Sequence, residues 1–190
     1  MDEAIMQQII ISGVGGQGVL FVTRLLAEAA IKKGLAVFTS ETHGMAQRGG
    51  TVLSHLKVGE YASPLIRPAQ ADGLLALRAE NLTQHGAFLK DGGWVVVNGK
   101  DDVKKNESKP LASVDADTLA REIGNPKAVN LIVLGFALAT AEKKEEDRNE
   151  LFCSLSEIKT VLQDRFGNKK KMLKASMKAL EAGYNVFQDL

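Results

Sequence analysis

Gln8-Ile9-Ile10-Ile11-Ser12-Gly13-Val14-Gly15-Gly16-Gln17-Gly18-Val19 ends one kind of order and begins another. The β-branched run Ile9 to Ile11 stops at glycine, which reads as a buried first strand, Gln8 to Ser12, entering a glycine loop. From Val19 to Lys33 the apolar residues Leu20, Val22, Leu25, Leu26, Ala29 and Ile31 recur at near-helical spacing, and Gly34 supplies the stop. Strand, glycine turn and helix make half of a nucleotide-binding unit. Gly13-Val14-Gly15-Gly16-Gln17-Gly18 satisfies G-x-G-x-x-G between a strand and a helix, the context that gives the pattern meaning. The first glycine permits the sharp turn, the second lets backbone N–H groups approach a phosphate, the third packs helix on strand, and the helix start favours an anion. Gly13, Gly15, Gly16, Gln17 and Gly18 are therefore the candidate cofactor-binding residues, with Gln17 either reaching a ligand or pinning the neighbouring loop.

Outward from this unit the rhythm continues. Leu35 to Thr39 reads as a second strand, parallel to the first because the intervening helix is a crossover. A polar loop, Ser40 to Gly50, follows it. Val52, Ser54, Leu56 and Val58 alternate with Leu53, His55 and Lys57, as in a half-exposed strand at a sheet edge, with His55 packed or at that edge. Gly73 to Leu77 and Trp94 to Asn98 are further strands around a helix at Glu80 to Leu89, which the turn Lys90-Asp91-Gly92-Gly93 closes. A charged loop, Gly99 to Pro110, leads to a short strand at Leu111 to Val114, and Asp115 caps a helix over Ala116 to Ile123. The rest is helical: Val129 to Ala141, a charged connector Glu142 to Asp147, Ser156 to Arg165 with Ser154 or Ser156 as cap, and Lys169 to Gln188. The expected fold is α/β, a three-layer αβα Rossmann-like domain over residues 1–190, with a mostly parallel sheet, an antiparallel edge and a helical C-terminal tail.

Composition excludes several functions. The 190 residues, 45% hydrophobic, suffice for one core and are too few for two comfortable domains. Twenty-four basic against twenty-three acidic residues give no global bias toward nucleic acid or an anionic membrane. Apolar stretches such as Asn130 to Ala141 fall short of the ~20 residues that cross a bilayer. Met1-Asp2-Glu3 is acidic where a secretory signal is basic, so a soluble cytoplasmic protein is expected. The single cysteine, Cys153, reads as a small buried hydrophobe and leaves no room for an iron–sulfur cluster, which needs about four thiolates. His43, His55 and His85 lack any paired ligand spacing, so no metal site is expected.

A dinucleotide site also wants an acidic residue about twenty positions on, and Glu41 stands near that place. Yet Glu41 opens Glu41-Thr42-His43-Gly44-Met45-Ala46-Gln47-Arg48-Gly49-Gly50, and a plain turn has no use for Glu, Thr, His, Gln and Arg within eight residues. Together with Gly13-Val14-Gly15-Gly16-Gln17-Gly18, this segment resembles the gamma domain of pyruvate and other 2-oxoacid:ferredoxin oxidoreductases. Its His-Gly-Met-Ala-Gln-Arg-Gly-Gly version is most similar to the beta subunit of indolepyruvate oxidoreductase. Ser63-Pro64-Leu65-Ile66, Ala71-Asp72, Val97-Asn98, Gly124-Asn125 and Asn130 to Gly135 extend the resemblance over roughly residues 8 to 140.

The resemblance implies an enzyme that decarboxylates a 2-oxoacid on thiamine diphosphate with Mg, passes electrons through iron–sulfur clusters to ferredoxin and releases an acyl-coenzyme A. This chain shows neither a Gly-Asp-Gly thiamine motif nor cluster cysteines, so it would bind none of these alone; they would reside on a larger partner subunit in a hetero-oligomer. Its implied role is to complete or cover that subunit's active site and to contact coenzyme A. The implied active-site loop or partner interface is Glu41, Thr42, His43, Gln47, Arg48, Gly49 and Gly50. Arg48 is the first choice for a carboxylate or phosphate, or else an interface ion pair, while His43 either shuttles a proton or fixes the loop. Lys169-Lys170-Lys171 is a solvated helix start or a dock for an acidic ferredoxin. The alternatives are a self-contained NAD(P)-binding protein and an assembly module whose glycine loop binds nothing.

Overall fold

The structure is a computed structural model that describes residues 5–43, 50–100, 111–142 and 151–188. In chain order the elements are β1 (Gln7–Val14), α1 (Val19–Lys32), β2 (Val37–His43), β3 (Thr51–Val58), β4 (Ala71–Ala76) and α2 (Ala79–His85). A single turn of tighter helix, Gly86–Phe88, leads into β5 (Leu89–Asn98) and β6 (Leu111–Val114). Four helices complete the chain: α3 (Ala116–Glu122), α4 (Val129–Glu142), α5 (Leu155–Phe166) and α6 (Lys170–Gln188). The strands lie in the order β2-β3-β1-β4-β5-β6. The run β1-β4-β5-β6 is parallel, and β3 is antiparallel to both of its neighbours. Helices cover both faces, so the αβα layers, the mostly parallel sheet and its antiparallel edge stand as expected.

The layers are unequal. Ile9 and Ile11 of β1 face a large core built with α1, α3, α4, α5 and α6. Ile10 faces a thin one under Ile66 and the helical turns around Leu82 and Phe88. Twelve of the fourteen residues of α4 are buried, and it crosses α6 where a Cβ on Gly135 would lie 2.0 Å from the Leu180 carbonyl oxygen. Caps follow local chemistry: the Asp115 carboxylate accepts from the Thr118 N–H at 2.9 Å, and Ser154, not Ser156, forms a capping box with Glu157 that starts α5. No helix of the described residues is long and apolar enough to cross a membrane.

Three local expectations need correction. The 52–58 strand is internal, because β2 takes the edge; Leu53 to Val58 are all buried. Polar side chains on both of its faces are buried, each with a partner. Ser54 Oγ accepts from Thr23 Oγ1 at 2.9 Å, His55 Nδ1 accepts from the Ile66 N–H at 3.3 Å, and the Lys57 ammonium sits 4.9 Å over the Tyr61 ring. β2 accordingly runs parallel to β1 in direction without pairing with it, and it extends through Ser40–His43 where a loop was expected. Lys90 to Gly93 is a bulge inside β5 and not a turn after a helix: Ala71 pairs with Leu89 but Gly73 with Trp94.

His55 and His85 give the fold a pH signature. Burial, then the charges of Lys57 and His85, lowers the pKa of His55 below 6.5, and burial does the same to His85. As pH falls through 6.5 the unfolded chain takes up protons that the folded chain refuses, so stability declines, by at most about 1.4 kcal/mol per group per pH unit. Urea midpoints measured from pH 7.5 to 5.5 should fall steadily, above the range where Asp115 and Glu157, both held low, begin to titrate. A flat midpoint across that window would contradict the burial of His55 and the partial burial of His85.

Candidate functional site

α1 leaves β1 onto the Ile9 face, and α2 leaves β4 onto the Ile10 face. Adjacent parallel strands whose connections part to opposite faces open a crevice at their carboxyl ends, where open sheets take ligands. The glycine loop lies there. Gln17 closes its turn twice: its N–H donates to the Val14 carbonyl at 3.1 Å and its Oε1 accepts from the Val14 N–H at 2.9 Å. Gly16 and Gly18 hold φ values of 89° and 81°, and Asn130 at the start of α4 donates to the Gly18 carbonyl at 3.4 Å. A Cβ on Gly18 would lie 2.3 Å from Asn130 Nδ2, whereas one on Gly16 meets nothing.

These two glycines separate backbone strain from crowding. Gly16→Ala should cost about 1–2 kcal/mol for the left-handed backbone alone. Gly18→Ala adds displacement of Asn130 and should cost about 1 kcal/mol more. Thermal melts of both variants test this, and equal losses would mean that the Asn130 contact is inconsequential.

Among the described residues the second motif meets the first where the Gly15 N–H donates to the Gly50 carbonyl at 3.1 Å. Glu41, Thr42 and His43 lie on β2, opposite Ser54, Leu53 and Val52 of β3. Strand alternation therefore sends Glu41 to the α1 side of the sheet and Thr42 to the other side. Gln47, Arg48 and Gly49 lie outside the described residues. This arrangement departs from a dinucleotide site in two ways. The inserted β3 moves Glu41 two strand spacings, roughly 9–10 Å, from β1 instead of one. The Gly15 N–H, which a phosphate would claim, is already given to Gly50.

Beside the loop a groove of about 480 Å³ runs between the first turns of α1, the start of β3 and the end of α5. Gly15, Gly16, Phe21 and Val52 make its mostly apolar walls, and Arg24 and Arg165 supply its cations. Arg165 is held in place, with Nη1 2.6 Å from Glu28 Oε1 and its guanidinium 5.5 Å from the Phe21 ring centre. Sequence reasoning assigned neither arginine to a site. Arg24 has the helical phase of any surface residue, and Arg165 reaches the groove only because α5 packs on α1.

Across the sheet, Ser12 Oγ and His85 Nδ1 are hydrogen-bonded at 2.8 Å, and Thr51 Oγ1 donates to Gln84 Oε1 at 3.2 Å, tying α2 to β1 and β3. Asn98 fastens the next two strand ends, donating to the Leu77 carbonyl at 3.2 Å and accepting from the Ala116 N–H at 3.0 Å. Cys153 is buried, and its thiol is pushed up to about 12, chiefly by desolvation, so it stays protonated. Among the described residues no group of three or more His, Cys, Asp or Glu side chains is placed to hold a metal ion.

With this geometry in view, comparisons with known proteins are informative. The family model for pyruvate ferredoxin/flavodoxin oxidoreductase matches residues 8–186. Subunit IorB of indolepyruvate oxidoreductase from Archaeoglobus fulgidus is 28% identical over 197 residues, covering 93% of each chain. The crystal structure of a keto/oxoacid ferredoxin oxidoreductase gamma subunit from Geobacter sulfurreducens superposes with a TM-score of 0.74 at 23% identity, covering 97% of this chain and 99% of that one. The 2-oxoglutarate:ferredoxin oxidoreductase of Magnetococcus marinus, solved with 2-oxoglutarate, coenzyme A and succinyl-CoA bound, superposes with a TM-score of 0.76 at 23% identity. That alignment covers 99% of this chain but 32% of that one, and at such identity both structures speak to the fold alone. The chain belongs to the pyruvate ferredoxin/flavodoxin oxidoreductase family, as a subunit of a 2-oxoacid:ferredoxin oxidoreductase.

Proposed function

We propose that this chain is a non-autonomous, gamma-type subunit of a thiamine-diphosphate-dependent enzyme that oxidatively decarboxylates an aryl pyruvate such as indolepyruvate to its acyl-coenzyme A. Pyruvate, branched-chain 2-oxoacids and 2-oxoglutarate are the other substrates to test. Thiamine diphosphate, Mg and the iron–sulfur clusters belong to a larger partner subunit, ferredoxin takes the electrons, and the assembled enzyme works in the cytoplasm. The sequence holds one cysteine where a cluster needs about four thiolates, which supports that division of labour.

The observation that carries the reading is the junction of the two motifs at the carboxyl edge. The Gly15–Gly50 bond brings the end of the second motif to the glycine loop, so Gly15, Gly16, Gln17, Gly18 and Gly50 would form one surface over the partner's active site, with Gly13 buried beneath it; the resemblance assigns Glu41, Thr42, His43, Gln47, Arg48 and Gly49 to the same interface. Gln17 serves that surface by fixing the turn. The groove beside it, apolar with Arg24 and Arg165, suits the coenzyme A acceptor: a long thin arm for the apolar walls and phosphates for the guanidinium groups.

Anaerobic co-purification with mass spectrometry, followed by viologen reduction on a panel of 2-oxoacids, tests the assignment. A larger thiamine and iron–sulfur subunit should accompany the chain, and the best substrate names the subfamily. A chain that comes out alone, inert toward 2-oxoacids but binding a dinucleotide, would sink it. For the groove, Arg24→Gln in the assembled enzyme should raise KM for coenzyme A roughly tenfold, the effect of losing one charged hydrogen bond, and leave KM for the 2-oxoacid unchanged. An unchanged coenzyme A KM would place the thioester acceptor elsewhere.

A further inference from the structure

The start of α6 violates the electrostatics of a stable helix. Lys169, Lys170 and Lys171 stand at its N-terminus, where the macrodipole favours carboxylates, and its first turn has no acidic residue. Lys174 and Lys178 follow at intervals of four, a like-charge spacing that also destabilises. At 3.6 residues per turn, Lys170, Lys171, Lys174 and Lys178 fall within an arc of about 100°. No acidic residue occurs between Asp164 and Glu181. All five lysines are exposed, and none forms an ion pair among the described residues; Lys178 donates to the Ile123 carbonyl. The neighbouring Lys32, Lys33, Lys159 and Arg165, by contrast, are each paired with a carboxylate. Lys178 thus serves the carboxyl end of α3, but Lys170, Lys171 and Lys174 have no carboxylate partner among the described residues and stand at a helix start where the dipole disfavours them, in a chain of net charge +1. Local rules broken without a folded-state gain point to function.

We infer that this lysine face is the landing surface for the acidic electron carrier of the complex, a small iron–sulfur protein with clustered carboxylates. The inference rests on the function proposed above. The chemistry of the face favours such a reversible partner over the permanent subunit. Lasting interfaces are built on apolar, aromatic and arginine contacts, and apart from Met172 this face offers none exposed. Hydrated, flexible lysines instead steer encounters at long range and let go. An amphipathic membrane helix would present a broad exposed apolar side opposite its lysines, whereas α6 buries Ala179, Leu180 and Phe187 in the core.

The test is Lys170→Glu/Lys171→Glu/Lys174→Glu in the assembled complex, with ferredoxin and methyl viologen compared as acceptors. At low ionic strength KM for ferredoxin should rise tenfold or more, the difference from the unaltered complex should shrink as salt is added, and viologen reduction should be unchanged. The isolated variant should also melt higher, since carboxylates replace ammonium groups at a helix start. Three results overturn the inference: an unchanged ferredoxin KM with the same salt dependence, loss of the partner subunit on size exclusion, or a lower melting temperature. An unaltered complex that reduces neither acceptor would refute the proposed function and the docking surface together.

Discussion

Gly183→Ala is expected to destabilise the protein by about 2 kcal/mol, a fall in melting temperature of roughly 4–8 °C for a chain of this size. In an exposed helix the same substitution would help by about 1 kcal/mol, because alanine is the better helix former. Here the sign reverses because α6 lies backbone to backbone on α4: a Cβ on Gly183 would stand 1.9 Å from the Ile132 carbonyl oxygen. Neither party is a side-chain tip that could swing away, so the helices must part. Gly135→Ala forces the same separation from the other side, against the Leu180 carbonyl. Once the helices have parted for one methyl, much of the cost of the second has already been met, so the double variant should lose less than the sum of the singles. Strict additivity in a denaturant cycle would refute the shared crossing point.

Gly73→Ala should be more damaging, by about 3 kcal/mol or more, at the upper end for overpacking in a core. A Cβ at Gly73 would lie 2.1 Å from Trp94 Cε2 and 2.2 Å from Cζ2, so the indole rests flat on the glycine of the neighbouring strand. Trp94 is 5% exposed and its Nε1 has no hydrogen-bond partner among the described residues, which leaves the ring held by packing alone. It is the sole tryptophan, so its fluorescence reports the site directly. The alanine variant should shift emission to longer wavelength as water reaches the ring. Trp94→Leu opens a void in the normal protein but makes room in the variant, so Gly73→Ala/Trp94→Leu should be more stable than the two single losses would add up to. A variant with unchanged emission and stability would mean that the indole is not seated on Gly73.

The features legible in the sequence were those whose causes lie within a turn or two of chain. The strand–glycine–helix unit, the Asp115 cap and the apolar run that becomes α4 each depend on neighbouring residues. What escaped depends on partners far along the chain. The alternation of β3 resembled a half-wet edge because Ser54, His55 and Lys57 looked solvent-seeking, yet their partners Thr23, Ile66 and Tyr61 come from three other segments. Ser40–His43 read as loop because polarity usually means loop, and only the ladder to β3 makes it strand. At the site, the glycine motif was visible, but the hydrogen bond that consumes the Gly15 N–H was not, nor were Arg24 and Arg165 as companions across a groove. Asn98 and Asn130 were noticed through resemblance alone; the structure gives them work as fasteners of strand ends and of the glycine loop.

The burial of α4 on nearly every side also has a temporal meaning. During synthesis this helix leaves the ribosome before α6, the element that closes over it, has been made. The β1–β3 and β1–β4 ladders can already be in place by then, so the nascent domain passes through a stage with a finished sheet and an apolar helix only partly covered. That interval, set by the translation time of the residues after Glu142, is when misassembly is most probable. Synonymous slow codons in that stretch, or a shortage of chaperone, should therefore reduce soluble yield without altering any contact in the finished protein.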